Sequence, residues 1–295
     1  MRFTRRKFLM GATTVGAGLA LGPLTGPVRI ALASTAPAKD PPAVLYDLTQ
    51  CAGCHLCEIA CQVNKGLPPE KALLSFRTGS ELDGPNVPKG AWAIRRQQCM
   101  HCLDPACVAA CPVAAMYKTP EGPVIYRDER CLGCRYCMNA CPFNVPTFDW
   151  NSGLLDAALI RKCNFCYERQ QQGKQPACIE ACPTKAVIFG QRSEMLAEAK
   201  KRIAADPDRY VGKVYGEYEA GGTAFLLIAG VPFDKLALPD PGDKALPPLT
   251  RTIMGGTIPF ALSWAAVLTG IYGVVQFRQK RMKQIGHGAG KEEKK

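Results

Sequence analysis

Sixteen of the 295 residues are cysteine, and they fall in runs. Cys131, Cys134, Cys137 and Cys141, followed by Pro142, stand as C-x2-C-x2-C-x3-C-P. Thiolates are soft ligands, and at this spacing they hold iron–sulfur cubes. Three of the four reach three corners of one cube. The last points away to a second cube, so one such run demands a partner.

The partner lies just upstream in Cys99, Cys102, Cys107 and Cys111, again closed by a proline, Pro112. If the two runs exchange their last cysteines as in two-cluster bacterial ferredoxins, two complete ligand sets result. Cys99, Cys102, Cys107 and Cys141 form one (set 3), and Cys131, Cys134, Cys137 and Cys111 the other (set 4). The remaining cysteines close in the same way. Cys51, Cys54, Cys57 and Cys61 make the first run of the chain, and Cys163, Cys166, Cys178 and Cys182, then Pro183, the fourth. Their exchange gives Cys51, Cys54, Cys57 and Cys182 (set 1) and Cys163, Cys166, Cys178 and Cys61 (set 2). Four [4Fe–4S] clusters use every cysteine.

Departures from the motif are local. Cys61 is followed by Gln62, so the proline that ends the other runs is missing there. Four residues separate Cys102 from Cys107 and eleven separate Cys166 from Cys178, which lengthens one corner of each loop. The longer excursion, Tyr167 to Ala177, is predicted to be exposed. Zinc is the main competing ligand chemistry, but its ribbons need two C-x2-C pairs per site, whereas the third run packs four cysteines into eleven residues with the C-x3-C-P ending. Disulfides and a [3Fe–4S] site are further alternatives, against which stand four complete ligand sets. His55 and His101 lie inside cluster loops and invite a Rieske-type reading; with four thiolates per cluster they are assigned surface or supporting roles. Tyr136, Phe143, Phe148 and Trp150 are read as an apolar shell that keeps water from the clusters.

The elements that must position these loops are short. Val44–Asp47, Ala91–Arg96, Gly122–Tyr126 and Ala186–Gly190 read as strands next to cluster loops, and the alternation of loop, short helix and short strand is α+β in character. Residues 62–94, rich in Gly and Pro, are predicted as surface loop. Ser193–Ala205 reads as a helix with Ser193 as N-cap and Met195, Leu196, Ala199 and Ile203 as its apolar stripe. Tyr210–Gly222 is turn-rich, Ala224–Ala229 reads as a buried strand, and Pro232–Pro248 as a Pro-rich tether.

Both ends carry addresses. Arg5-Arg6 precede the apolar run Gly11–Leu24 and the small residues Ala31-Leu32-Ala33, the pattern of a twin-arginine signal, with cleavage expected after Ala33. That route exports folded proteins, which reconciles export with cysteines that hold clusters rather than disulfides. Ile253–Phe277 has no charged residue and is long enough to span a bilayer. Pro259 is placed near its first turns, Trp264 and Tyr272 near its interfaces, and Ala266, Gly270 and Gly273 on a small-residue face. Arg278, Lys280, Arg281 and Lys283 follow, which places the C-terminus in the cytoplasm. The net charge of +12 is concentrated in these tails, +4 in residues 1–10 and +5 in residues 278–295. No basic stripe interleaved with aromatics runs through the middle, which argues against nucleic acid as a partner.

With these residues in view, the sequence resembles the four-cluster electron-transfer subunits of complex iron–sulfur oxidoreductases, and among them the HybA-type subunits of membrane-bound [NiFe] hydrogenases. The resemblance rests on the terminal signal and anchor, Gln98-Cys99-Met100-His101-Cys102, Cys131 to Pro146, Ala186–Gly190, Gly221-Gly222-Thr223 and Gly230-Val231-Pro232. It implies two nested ferredoxin-like two-cluster modules plus one C-terminal transmembrane helix. The implied layout is a signal peptide (1–33), a four-cluster domain (34–191), a helix/strand extension and tether (192–250), a membrane helix (251–278) and a basic tail (279–295). It implies no catalytic residue. Electrons from a large [NiFe] subunit, relayed by a small iron–sulfur subunit, would pass through the chain to an integral membrane quinone-site subunit of the NrfD/HybB type, on the periplasmic face of the cytoplasmic membrane. The alternative is the β subunit of an exported molybdopterin enzyme such as formate dehydrogenase. A non-redox membrane scaffold is a third reading, from a different class.

Overall fold

The computed structural model describes residues 38–68, 73, 75–81, 92–148 and 160–292. The expected signal segment and Trp150 lie outside the described residues.

A three-stranded sheet sits at the centre. Its middle strand β1 (Pro42–Asp47) is antiparallel to β8 (Val187–Gln191) and parallel to β9 (Phe225–Ile228), in the order β8-β1-β9. Both faces of β1 are covered, so it shows no polar alternation. Ala43 and Leu45, with Leu226 and Ile228, pack on Met195 and Ala199 of the long soluble helix α6 (Arg192–Ala205). Val44 and Tyr46, with Phe225 and Leu227, face the cysteine loops through Met100, Phe143, Phe165 and Ile179. Each of these aliphatic or aromatic side chains contributes roughly 1.5–3 kcal/mol by leaving water. The sheet thus separates an ordinary apolar layer from the layer that holds the cysteines.

Three two-stranded ribbons complete the strand inventory of the described residues: β2 (Ser75–Glu81) with β3 (Trp92–Gln97), β4 (Met116–Lys118) with β5 (Val124–Tyr126), and β6 (Thr147–Phe148) with β7 (Ile160–Arg161). Four short helices follow the cysteine loops: α1 (Leu56–Lys65), α2 (Ala106–Ala109), α3 (Tyr136–Ala140) and, after the paired turns of α4 (Tyr167–Gln170), α5 (Ala177–Glu180). α1 packs on α5, and α2 on α3. The helix after the first run therefore meets the helix of the fourth, and the second meets the third.

Four local expectations need correction. The region 62–94 is not all loop, because α1 runs on to Lys65 and β2 pairs antiparallel with β3. Helix α6 starts at Arg192 with Gln191 as its cap: the Gln191 N–H donates to the Glu194 carboxylate at 3.1 Å. Ser193 instead donates its N–H and hydroxyl to Asp40, at 2.9 and 2.6 Å, because the linker lies across the helix start. The supposed tether is folded onto the domain up to Asp243: Leu236 is fully buried, Arg95 donates to the Ala237 carbonyl at 3.0 Å, and the Tyr215 hydroxyl donates to that of Pro239. Ala220 N–H further donates to the Gly242 carbonyl at 2.8 Å. Finally, α7 (Pro247–Glu292) begins earlier than the apolar run, so Pro259 lies well inside the helix rather than in its first turns.

Within α7, Phe260–Met282 is long and apolar enough to cross a membrane. Leu262, Trp264, Leu268, Ile271 and Phe277 are all more than half exposed. The space beside Gly270 and Gly273 is open. A helix with this many exposed apolar side chains is suited to a hydrocarbon surround.

Candidate functional site

The four cysteine loops share one backbone device. The residue before the second cysteine of each run is left-handed: Gly53 (φ 63°), His101 (47°), Gly133 (67°) and Phe165 (62°). This reversal turns the chain around a central point so that successive sulfurs face inward. Glycine takes the position at no steric cost in the first and third runs. In the other two, packing holds a side chain there: the His101 and Phe165 rings stack at 4.5 Å, and His101 Nδ1 accepts the Val124 N–H at 3.0 Å.

The exits share a second device. Three residues after the last cysteine of each Cys-Pro run, Ala114 (φ 54°), Asn144 (50°) and Lys185 (52°) are again left-handed. The turn brings backbone N–H groups back onto sulfur. Cys111 Sγ accepts from Ala115 and Met116 at 3.2 and 3.4 Å. The Cys182 thiol is lowered, since backbone bonds from Val187, Ala186 and Thr184 and the Thr184 hydroxyl outweigh burial. Cys61, followed by Gln62, makes no such turn; its helix continues to Lys65 and is capped by Gly66.

Sulfurs from different runs lie together. Cys61, Cys163, Cys166 and Cys178 line one cavity, and Cys111, Cys131, Cys134 and Cys137 line another. Burial, reinforced by Cys107, Cys99 and Cys141, pushes the Cys102 thiol far up. Cys57 is pushed up to about 11 by burial and feels Cys178, Cys51 and Cys182, while Arg96 opposes the shift. The four cysteines of set 2 and the four of set 4 thus each share a cavity, while Cys102 of set 3 feels Cys107, Cys99 and Cys141 through space. For set 1, Cys51, Cys57 and Cys182 converge, and Cys54 stands exposed on the same loop. Across the runs, Cys57 feels Cys178, Cys163 feels Cys99, and Cys107 feels Cys137.

The surroundings fit iron–sulfur clusters. All sixteen cysteines are unpaired. Among the described residues no three Cys, His, Asp or Glu side chains converge closely enough to hold a single ion, whereas tetrahedral zinc draws four sulfurs to about 2.3 Å from one point. The more deeply buried thiols resist ionisation: burial pushes Cys61 up to about 12 and Cys137 up to about 11. A buried thiolate needs a cation such as iron. Conversely, the layer holds a buried cation that needs an anion. Arg96 is 2 % exposed with Nε and Nη1 unpaired. Lys118 and Lys162 are buried on the carbonyls of Cys102 and Cys163, at 2.9 and 2.8 Å. A cluster with four thiolates is negatively charged and would satisfy both requirements.

Two tyrosines complete the surroundings. Tyr46 and Tyr126 each stand five residues before the first cysteine of a run. Each hydroxyl is kept protonated by burial and by the sulfur beside it, Cys51 and Cys131 respectively. Tyr126 also accepts the Ile160 N–H at 3.3 Å, which leaves its own proton for Cys131. Sequence reasoning missed the tyrosines and the buried cations. The signal for the tyrosines is a repeat: Tyr46, Cys51, Gly53, Cys54, Cys57 and Cys61 recur as Tyr126, Cys131, Gly133, Cys134, Cys137 and Cys141. His55 is exposed and paired with Glu58 at 2.9 Å, whereas His101 is buried between loops, its pKa lowered by burial and by Lys162 and Lys118.

Residues 90–192 match the 4Fe-4S dicluster domain. A protein of Nitratidesulfovibrio vulgaris is 40% identical across 94% of this chain and 78% of its own length. The hydrogenase-2 operon protein HybA of Escherichia coli O157:H7 is 34% identical across 94% of this chain and 96% of its own. The iron-sulfur subunit of the nitrate-inducible formate dehydrogenase of E. coli K12 is 33% identical across 63% of this chain and 67% of its own. The chain binds [4Fe–4S] clusters, and its sixteen cysteines complete the ligation of four. The likeness to HybA over nearly the whole of both chains, on loops built to hold cubes, makes this protein a member of the HybA family of iron–sulfur electron-transfer subunits.

Proposed function

We propose that the chain is the electron wire of a membrane-bound [NiFe] hydrogenase, carrying electrons from the catalytic dimer to a quinone-reducing membrane subunit. Crossed ligation assigns Cys51, Cys54, Cys57 and Cys182 to cluster 1, Cys163, Cys166, Cys178 and Cys61 to cluster 2, Cys99, Cys102, Cys107 and Cys141 to cluster 3, and Cys131, Cys134, Cys137 and Cys111 to cluster 4. The pairing of α1 with α5 and α2 with α3 supports one ferredoxin-like module nested within the other. When bound, the clusters supply one-electron redox chemistry and nothing else. The chain's residues keep the sulfurs ionised, exclude water and order the sets.

The observation that carries the reading is full-length similarity to HybA, from before the first run into the C-terminal helix. Under crossed ligation, the influence of Cys178 on Cys57, of Cys99 on Cys163 and of Cys137 on Cys107 supports the order 1, 2, 3, 4, a wire with two ends. Cys54 and Cys134, in the two terminal sets, are the exposed cysteines; those of the inner sets are buried or half-buried. Exposed apolar side chains surround both, Leu56, Ile59 and Val63 at one end and Leu132 and Tyr136 at the other. Because α2, which leads into Cys111, lies against α7, we assign set 4 to the membrane side and set 1 to the hydrogenase. The twin-arginine signal and the basic tail support a periplasmic domain anchored by α7, with the C-terminus in the cytoplasm.

Anaerobic purification should yield about 16 iron atoms per chain, four per cube; eight or fewer would refute the pairing. Cys182→Ala should perturb the cluster of Cys51, Cys54 and Cys57, and loss of the Cys163 cluster instead would overturn the exchange. Mild-detergent co-purification should bring down a [NiFe] large subunit. The formate dehydrogenase relative supports a second reading, and recovery of a molybdopterin subunit would establish that one instead.

A further inference from the structure

Set 2 differs from sets 1 and 4 in what its borrowed cysteine receives. Its borrowed cysteine, Cys61, lies in a helix that runs on to Lys65 and so lacks the returning backbone N–H groups that Cys111 and Cys182 receive. Side chains stand in their place. Asn64 Nδ2 lies 3.9 Å from Cys166 Sγ, and Arg96 Nη2 lies 3.5 Å from Cys178 Sγ.

Arg96 is the unusual member. It sits at the end of β3, fully inside the protein, with its guanidinium carbon 5.6 Å from the ring centres of both Tyr46 and Phe225. Nη2 also donates to Gln98, while Nε and Nη1 have no hydrogen-bond partner. None of the ion pairs among the described residues involves it. A buried cation without a carboxylate costs several kcal/mol, so its counter-charge must be something else. The Cys178 sulfur of set 2 lies 3.5 Å from Nη2, and the Cys57 sulfur of set 1 acts on the guanidinium through space.

We propose that Arg96 is a counter-charge shared by the clusters of sets 1 and 2, which raises the potential at which each accepts its electron and eases transfer between them. The proposal rests on the crossed-ligation reading above. Its physical basis is simple. Each cluster becomes more negative by one charge on reduction, and a fixed positive charge in a low-dielectric layer favours that state. Set 2, bonded through Cys178, gains most; set 1 gains through space; sets 3 and 4 gain least.

The test is an EPR-monitored redox titration of the anaerobically purified full-length chain in detergent, with dithionite as electron donor and iron counted in every sample. Arg96→Met removes the charge and keeps the apolar stem. With iron retained, two of the four midpoint potentials should fall, that of the Cys178 cluster most, and two should stay. Arg96→Lys should return both toward the wild-type values. Four unchanged potentials in an iron-complete Arg96→Met protein would overturn the proposal. If Arg96→Met fails to hold its iron, Arg96→Lys decides: full iron supports charge as the requirement, and renewed loss shows that the shape held between Tyr46 and Phe225 matters instead. A wild-type chain with well under 16 iron atoms would be a failure of the ligand reading itself, seen before any variant is compared.

Discussion

The first and third cysteine runs are two settings of one loop, with Cys51 and Cys131 eighty positions apart, and they differ mainly in how the chain leaves. Both are approached through a strand, a tyrosine and a short 3-10 helix, Leu48–Gln50 or Asp128–Arg130. Both reverse at a glycine and again at the helix cap, His55 (φ 60°) or Arg135 (61°). After the last cysteine they part. Pro142 ends one helix, and Asn144 turns the chain back toward sulfur. Gln62 lets the other continue for another turn. The leading half, which under the proposed crossed ligation wraps the run's own cube, is therefore fixed, while the exit half, which would serve the partner's cube, is free to vary. Where the exit loses its backbone donors, buried side chains supply charge and hydrogen bonds in their place.

The largest effects should come from the last cysteines themselves. Cys61→Ala and Cys141→Ala each remove a ligand that the partner run depends on, so iron should fall from about 16 to about 12 per chain in both. EPR should show loss of the Cys163 cluster in the first variant and of the Cys99 cluster in the second. If Cys61→Ala spares the Cys163 cluster, the two exits are not equivalent in ligation and the comparison breaks.

Next comes the exit turn. Gln62→Pro imposes the third run's residue on a helix that continues, removing an internal N–H bond and clashing with the preceding turn, at a cost of about 3 kcal/mol. The reverse change, Pro142→Gln, should cost less, roughly 1 kcal/mol, because the left-handed Asn144 can still form the turn. The temperature at which visible cluster absorbance bleaches under anaerobic heating should order the variants so. Equal losses would mean that proline, not the turn after it, shapes the exit.

Smaller again is the effect of the first reversal. Gly53→Ala and Gly133→Ala force a side chain into a left-handed backbone, at about 1–2 kcal/mol each. Because the two loops are copies there, their bleaching temperatures should drop by similar amounts. A large difference would show that the leading halves are less alike than their dihedral angles.

Spacing makes the cluster-binding chemistry legible, because four cysteine runs of the ferredoxin pattern point to [4Fe–4S] clusters. The strands next to the runs and the stripe of α6 are legible from β-branched content and from helical period. Arg96, Lys118 and Lys162 are not. In sequence a buried cation looks like any surface lysine or arginine, and only its depth reveals that it faces sulfur. β2 is hidden among glycines and polar residues that give it no alternation. The strapped segment after Pro232 is hidden for the opposite reason: its prolines suggest an extended tether, whereas Leu236 and its neighbours bury against Ala229. Gln191 is masked as a cap because Ser193 has the stronger propensity, and Asp40, distant in sequence, claims the serine.

The finest test of the two loops concerns the tyrosines. Tyr46→Phe and Tyr126→Phe each remove a hydroxyl beside a first cysteine. Loss of one O–H···S bond, worth about 1 kcal/mol, should lower the potential of the adjoining cluster by roughly 40 mV for one electron. The Tyr46 hydroxyl is buried near Cys51 with no hydrogen-bond partner of its own, so its proton is free for a sulfur that cluster binding turns into an acceptor, and its variant should shift the potential of set 1 alone and leave thermal bleaching unchanged. Tyr126 also accepts the Ile160 N–H, so its variant should shift set 4 and loosen β7 as well, lowering the bleaching temperature. A potential shift at Tyr126 with none at Tyr46 would mean that the Tyr46 hydroxyl does not donate to Cys51. The likeness of the first and third loops would then extend to the backbone and stop short of the sulfur.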